Sequence, residues 1–198
     1  MSLLGNGCNI IIKQGDMNQQ LRLFVGIFPS QSTQEQLNKE VKNLSKQLQT
    51  EVRILAPEVI HLTVKFIGNV AKTQLSDVTT AFLKARGNLP LASLQINQFR
   101  LFPSHRKPRV LAAEIERSPE LDYIFQFFNQ GFTDLGIVAD RRSFNPHITV
   151  ARSRRWQKEA IFPALVQLIE PITSVSLVHS QLTPEGAKYN ILSSVALD

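Results

Sequence analysis

The sequence predicts an α+β fold: two duplicated lobes of strands and helices packed as one bilobal unit. Three observations predict it. Apolar segments of period 2 alternate with amphipathic helical segments along most of the chain. The strand–helix–strand order occurs twice. One unusual strand pattern, HLTVKF at 61–66 and HITVAR at 147–152, sits once in each half, 86 positions apart.

The elements follow in order. Residues 1–18 show no periodicity and contain Met17 just before the first strand, so they read as an N-terminal extension to a single domain spanning 19–198. In LRLFVGIF, Leu21, Leu23, Val25 and Ile27 share one face of a half-buried strand that Pro29 ends. Leu37, Val41, Leu44 and Leu48 recur at helical spacing and predict a helix over 31–49. A short strand at VRIL comes next, then the strand HLTVKFIG closed by Gly68. A helix marked by Leu75, Val78 and Phe82 ends near Gly87. A strand in LASLQINQFRLF is expected to complete this half.

The second half begins with the strand RVLAAEIE. Ser118 as N-cap and Pro119 at the first helical position start a helix whose buried stripe is Leu121, Phe125, Phe128, Phe132 and Leu135, stopped by Gly136. HITVA is the next strand, a shorter helix is expected within 157–170, and ITSVSLVHSQL and YNILSSVAL close the chain as strands.

Composition bounds the function. A chain of 198 residues, 43% hydrophobic and 19% charged, has the make-up of a globular protein. No apolar run approaches the roughly 18 residues that span a bilayer, and MSLLGNGCNIIIKQGD lacks a signal-peptide pattern, so no membrane partner and a cytoplasmic location are expected. Cys8 is the only cysteine, which excludes an internal disulfide and a multi-cysteine metal site. The net charge of +6 favours polyanionic partners such as nucleic acid or phosphorylated ligands. Nothing in the sequence demands more than a monomer.

The repeated motif carries the chemistry. In an extended strand His61, Thr63 and Lys65 point one way and Leu62, Val64 and Phe66 the other, while His147 and Thr149 oppose Ile148 and Val150. Histidine and threonine then stand about 7 Å apart along each strand, enough to flank one phosphate. If the lobes meet about a pseudo-twofold axis, the two imidazoles face each other across a groove. One can take a proton while the other gives one, and the hydroxyls can donate to phosphate oxygens. A single motif of this kind reads more readily as a solvated face; two in matching strands do not. Neither motif has a carboxylate or third histidine at ligand spacing, so no metal and no cofactor is expected. His105 reads as a loop residue, and His179 fits a structural role as well as a place near the groove.

These motifs, with RLFVGI, LFPSHRKPRVLAAEIE, SFNPHITVARS and LVHSQLTPEGAKY over about 21–197, resemble the 2H phosphoesterase superfamily, specifically its 2′-5′ RNA ligase-like branch of RNA 2′,3′-cyclic phosphodiesterases. The resemblance implies two antiparallel-sheet lobes with outer helices around a central groove, and metal-independent hydrolysis of RNA 2′,3′-cyclic phosphate ends to 2′-phosphomonoesters. It implies His61 as proton donor, His147 as proton acceptor, and Thr63, Thr149 and Arg152 as phosphate-binding residues. Members of the family often carry an aromatic residue before the first motif, where this chain reads VRILAP, and a second aromatic after the phenylalanine of RLF, where it has Val25.

Around the motifs, Arg106, Lys107 and Arg109, then Arg141, Arg142, Arg154 and Arg155, supply charge suited to an RNA backbone. Phe144, Arg142 and Tyr189 are candidate RNA contacts, whereas core packing is the first expectation for Phe24. The partner expected is an RNA end bearing a 2′,3′-cyclic phosphate. The competing readings are a 2′-5′ RNA ligase, a 2′-5′ oligonucleotide or small cyclic-nucleotide phosphodiesterase, and a catalytically idle RNA-binding module.

Overall fold

The computed structural model of the chain describes residues 19–46, 51–104, 108–153, 156, 164–184 and 186–197, with 164–167 as backbone. The expected extension 1–18, the 47–49 end of the first expected helix with Leu48, His105, Arg106, Lys107, Arg154, Arg155 and the 157–163 part of the later expected helix lie outside the described residues.

Among the described residues nine strands and three α-helices follow the order β1 (Gln20–Ile27), α1 (Gln31–Ser45), β2 (Arg53–Ile54), β3 (Leu62–Ala71), α2 (Leu75–Leu83), β4 (Ser93–Phe102), β5 (Val110–Ile115), α3 (Pro119–Gly131), β6 (His147–Arg152), β7 (Ala164–Pro171), β8 (Ser174–Thr183) and β9 (Gly186–Ala196). Local chemistry accounts for the helix starts. Ser30 Oγ accepts from the Thr33 N–H at 3.3 Å, and Ser118 Oγ accepts from the Leu121 N–H at 3.2 Å with Pro119 opening α3. The expected apolar stripes are buried: Leu37, Val41 and Leu44 on α1, Leu121, Phe125 and Phe128 on α3. Where a helix was expected within 157–170, residues 164–171 form a strand instead. Its backbone completes the outer edge of β4, with Leu168 opposite Ile96 and Glu170 opposite Leu94.

Every strand pair is antiparallel, and the sheet runs β7-β4-β5-β6-β3-β1-β8-β9, with β2 on β6. The two lobes are therefore four-stranded halves joined at β6 and β3. They are not the two halves of the chain. β4, expected to complete the first half, pairs with β5 of the second, and β8 of the second pairs with β1 of the first. The helices cross as well: α3 packs on β3, and α1 packs on β6. The duplicated units are interlocked, each finishing the other's sheet.

Strand β3 departs from simple alternation. Leu23 pairs with Gly68 and Phe24 with Phe66, then Val25 with Lys65 and Gly26 with Thr63, so Ile67 and Val64 are extra residues bulged out of the ladder. A bulge reverses which face the following side chain takes. Lys65 consequently leaves the face of His61 and Thr63 and is 4% exposed, while Phe66 emerges on the groove side at 52% exposure. Both positions reverse the sequence expectation.

Behind the sheet, Lys65 Nζ donates to Asn129 Oδ1 at 3.0 Å and to the Val138 carbonyl at 2.8 Å. Asn129 Oδ1 also accepts from the Asp140 N–H at 2.7 Å, and its Nδ2 donates to the Asp140 carbonyl at 3.0 Å. Burial lowers the Lys65 pKa and the Asp140 carboxylate opposes that shift. The cluster ties β3 and α3 to the segment that leads into β6. Asn129→Ala leaves buried partners unsatisfied and is expected to cost about 2–3 kcal/mol; urea denaturation at pH 7 measures the loss, and an unchanged midpoint would refute the role.

Candidate active site

Leu62 and Ile148 form the ladder pairing that joins β3 to β6. In an antiparallel register this sets His61 level with Thr149, and Thr63 level with His147. The residues beside each bridge partner thus meet on the groove face, while Leu62 and Ile148 are buried in the core.

Each imidazole is held in the same way. His61 Nδ1 donates to the Val59 carbonyl at 2.8 Å, and His147 Nδ1 donates to the Asn145 carbonyl at 2.9 Å. A carbonyl only accepts, so in both neutral rings the hydrogen sits on Nδ1 and Nε2 is the basic nitrogen. The carbonyl lies two residues upstream in each case, in the segment that leads into each strand: Pro57–Val59 forms a 3-10 turn before β3, and residues 143–146 run without regular structure into β6.

The four motif side chains and Arg152 line one cavity of about 150 Å³. Within it Thr63 Oγ1 lies 3.0 Å from His61 Nε2, so the neutral ring accepts the hydroxyl proton. The floor beside each threonine is small: Gly26 pairs with Thr63, and Ala112 pairs with Thr149. A Cβ at Gly26 would lie 2.8 Å from a Phe24 ring carbon and 3.3 Å from the Leu62 carbonyl oxygen.

The two sides differ in polarity. His61 is enclosed by Phe24, Phe28 and Tyr189, with ring centroids at 4.8, 5.4 and 5.0 Å. Burial, with smaller contributions from His147 and Arg152, lowers its pKa to about 4 against the opposing Val59 hydrogen bond. His147 stacks on Phe102 at 3.8 Å and pairs across the ladder with Glu114. Burial also lowers the His147 pKa, with Arg100 adding to the effect and the Asn145 hydrogen bond opposing it. Glu114 accepts from Gln98 at 2.7 Å and from Arg100; these bonds hold its carboxyl low against the upward push of burial.

Of the other expected contacts, Tyr189 reaches the cavity. Arg142 does not line it: its guanidinium is engaged by Asp140, Nε–Oδ1 at 3.0 Å and an amino nitrogen to Oδ2 at 2.6 Å. Phe144 is buried and stacks on Phe125 at 4.5 Å, which makes it a core residue. His179 pairs with Leu23, whose side chain is in the core, while its neighbour Ser180 lines the cavity. Phe24 is both buried, as expected, and a wall of the site. Sequence reasoning missed Arg22 and Phe66 as cavity residues. The signal for Arg22 was its place opposite the apolar row of β1; the signal for Phe66 needed the bulge. Among the described residues no group of three or more metal-ligating side chains occurs, and no helix is long and apolar enough to cross a membrane.

Four similarities to known proteins accompany this geometry. The family described as LigT like Phosphoesterase matches residues 27–112. The RNA 2′,3′-cyclic phosphodiesterase of Thermus thermophilus is 30% identical over 190 residues, covering 89% of this chain and 90% of that protein. The protein of the same name from Bacillus subtilis is 29% identical over 106 residues, or 54% of this chain and 57% of that one. In fold, the crystal structure of a Thermus thermophilus protein superposes with a TM-score of 0.76 at 24% identity, covering 89% of this chain and 97% of that one.

The lowered pKa of His61 has a consequence for stability. Its folded value near 4 lies below the unfolded value of 6.5, so between these limits the unfolded chain binds more protons. Stability should be unaffected by this group above pH 6.5 and fall by about 2–3 kcal/mol as pH drops to 4. Chemical denaturation of wild type and His61→Gln at pH 7 and pH 4.5 checks this; the variant should lose markedly less on acidification.

Proposed function

The chain belongs to the LigT-like phosphoesterases, the family that includes the RNA 2′,3′-cyclic phosphodiesterases, and from that premise we propose that it hydrolyses RNA 2′,3′-cyclic phosphate ends to 2′-phosphomonoesters with His61 and His147 as its proton-transfer pair. The observation that carries this reading is the matched setting of the two rings: each Nδ1 is fixed on a carbonyl two residues upstream, and both rings line the same small cavity.

The cyclic phosphate sits between the motif strands, its non-bridging oxygens receiving hydrogen bonds from Thr63, Thr149 and the Arg152 guanidinium. Burial keeps free His61 neutral. An anionic phosphate in the same cavity favours the imidazolium. Once protonated, Nε2 of His61 becomes a donor and no longer accepts from Thr63, which releases the hydroxyl to bind phosphate. Water attacks phosphorus opposite the 3′ oxygen, and its proton passes to Nε2 of neutral His147. As the P–O3′ bond breaks, His61 delivers its proton to the departing O3′. The products are a 2′-phosphate and a free 3′-hydroxyl; His61 ends neutral and His147 ends charged. Exchange with solvent resets both.

The test is an oligoribonucleotide with a 2′,3′-cyclic phosphate end, incubated with chelator. The expected product is the 2′-phosphomonoester alone, and a 3′-phosphate or an unchanged end would overturn the reading. His61→Ala and His147→Ala should each lower kcat by about 10²–10⁴-fold. Thr63→Val should lower the rate with both histidines in place, and an unaltered rate would remove Thr63 from the phosphate site.

A further inference from the structure

We propose that Gln34 and Asn38, one turn apart on α1, are positioning residues for His61: their side-chain amides hold the segment whose Val59 carbonyl keeps the ring hydrogen on Nδ1. This rests on the proton transfer assigned to His61 above. Both side chains are buried. Gln34 Nε2 donates to the Ile60 carbonyl at 3.0 Å, and Asn38 Nδ2 donates to the Leu55 carbonyl at 2.7 Å. A carbonyl only accepts, so each amide must present its NH2 group. The two bonds bracket the 3-10 turn Pro57–Val59. Inside the bracket a single peptide plane carries the Val59 carbonyl, which accepts from His61 Nδ1, and the Ile60 N–H, which donates to the Pro57 carbonyl at 2.9 Å.

The second motif shows why side chains are needed at the first. Ahead of His147, the Pro146 carbonyl accepts from the Ile115 N–H at 3.2 Å, a main-chain bond that carries the β5–β6 ladder one step past Glu114 and His147. The matching carbonyl ahead of His61 is that of Ile60. Counting on from the Ile27–Leu62 pair puts Pro29 level with it, and proline has no N–H to give. Gln34 reaches across from α1 and supplies the donor that the strand lacks. The chemical consequence falls on His61. When the charged ring delivers its Nε2 proton to O3′, it is left with hydrogen on Nδ1, the form that the Val59 carbonyl receives. The same bond opposes the loss of proton affinity that burial causes. With the segment released, the Nε2–H form competes in the resting ring, and proton delivery loses this support.

Gln34→Met and Asn38→Leu remove the donors at similar volume. The readout is the pair of ring-nitrogen chemical shifts of His61 at pH 7, where a ring with its pKa near 4 is neutral and its tautomer is visible directly. Wild type should show hydrogen on Nδ1 alone. Each variant should mix in the Nε2–H form, and the double variant most, while His147, whose support is main-chain, stays as in wild type. On an oligoribonucleotide 2′,3′-cyclic phosphate kcat should fall by about 10–100-fold with KM little altered. An unmoved His61 tautomer overturns the proposal even where kcat falls, because the loss is then only structural. A shifted tautomer with unchanged kcat overturns it as well. If the double variant does not fold, the two single variants decide. If wild type cleaves no cyclic ester, the hydrolytic reading fails by itself, and a tautomer shift confined to His61 still upholds the positioning role.

Discussion

The backbone pairing of Leu62 with Ile148 is the constraint on which the site depends. Each histidine immediately precedes one partner of that bridge, so a single ladder position fixes how the two rings approach. Strand faces alternate, and a slip of one residue would turn one histidine and threonine into the core and bring Leu62 or Ile148 to the groove. Burial of those two side chains opposes such a slip. The Lys65–Asn129–Asp140 cluster on the reverse side acts in the same direction, anchoring to β3 the segment that delivers His147. The relation between the motifs is therefore set by main-chain register and core packing, with the histidines and threonines facing the cavity.

The symmetry of the backbone is broken by chemistry. Small residues lie beside both threonines, Gly26 on one side and Ala112 on the other. Beside the histidines the match ends. The register that pairs Ile27 with Leu62 brings Phe28 level with His61, where the corresponding neighbour of His147 is Glu114. One imidazole stands in an aromatic enclosure, and the other adjoins an Arg100–Glu114 pair and a stacked Phe102. Two rings of identical connectivity thus stand in unlike surroundings, and burial lowers the pKa of both.

What was legible in the sequence had a local cause. The apolar rows of β1 and α1, the Ser118–Pro119 helix start and the paired His-x-Thr strands depend on periodicity and capping, and each stands where it was expected. What escaped depends on distant partners. The exchange of β4 and β8 between lobes leaves no trace in local pattern, because a strand reads the same whichever neighbour it joins. The 164–171 segment became a strand because β4 had an edge to fill. The reversal of Lys65 and Phe66 follows from a mismatch in length between β1 and β3, which neither segment reveals alone. Phe144 lies next to the second motif in sequence, yet it is buried and stacks on Phe125.

The interlocked sheet bears on how the protein is made. During synthesis on the ribosome, β1 can join β3 early, but its other edge has no partner until β8 emerges near the C-terminus. An exposed strand edge invites pairing with other chains. The nascent polypeptide must carry that open edge through most of its elongation, and neither half, cut from the other, could close its own sheet. Severing the gene between the two motifs would yield fragments able to complete themselves only in each other's company.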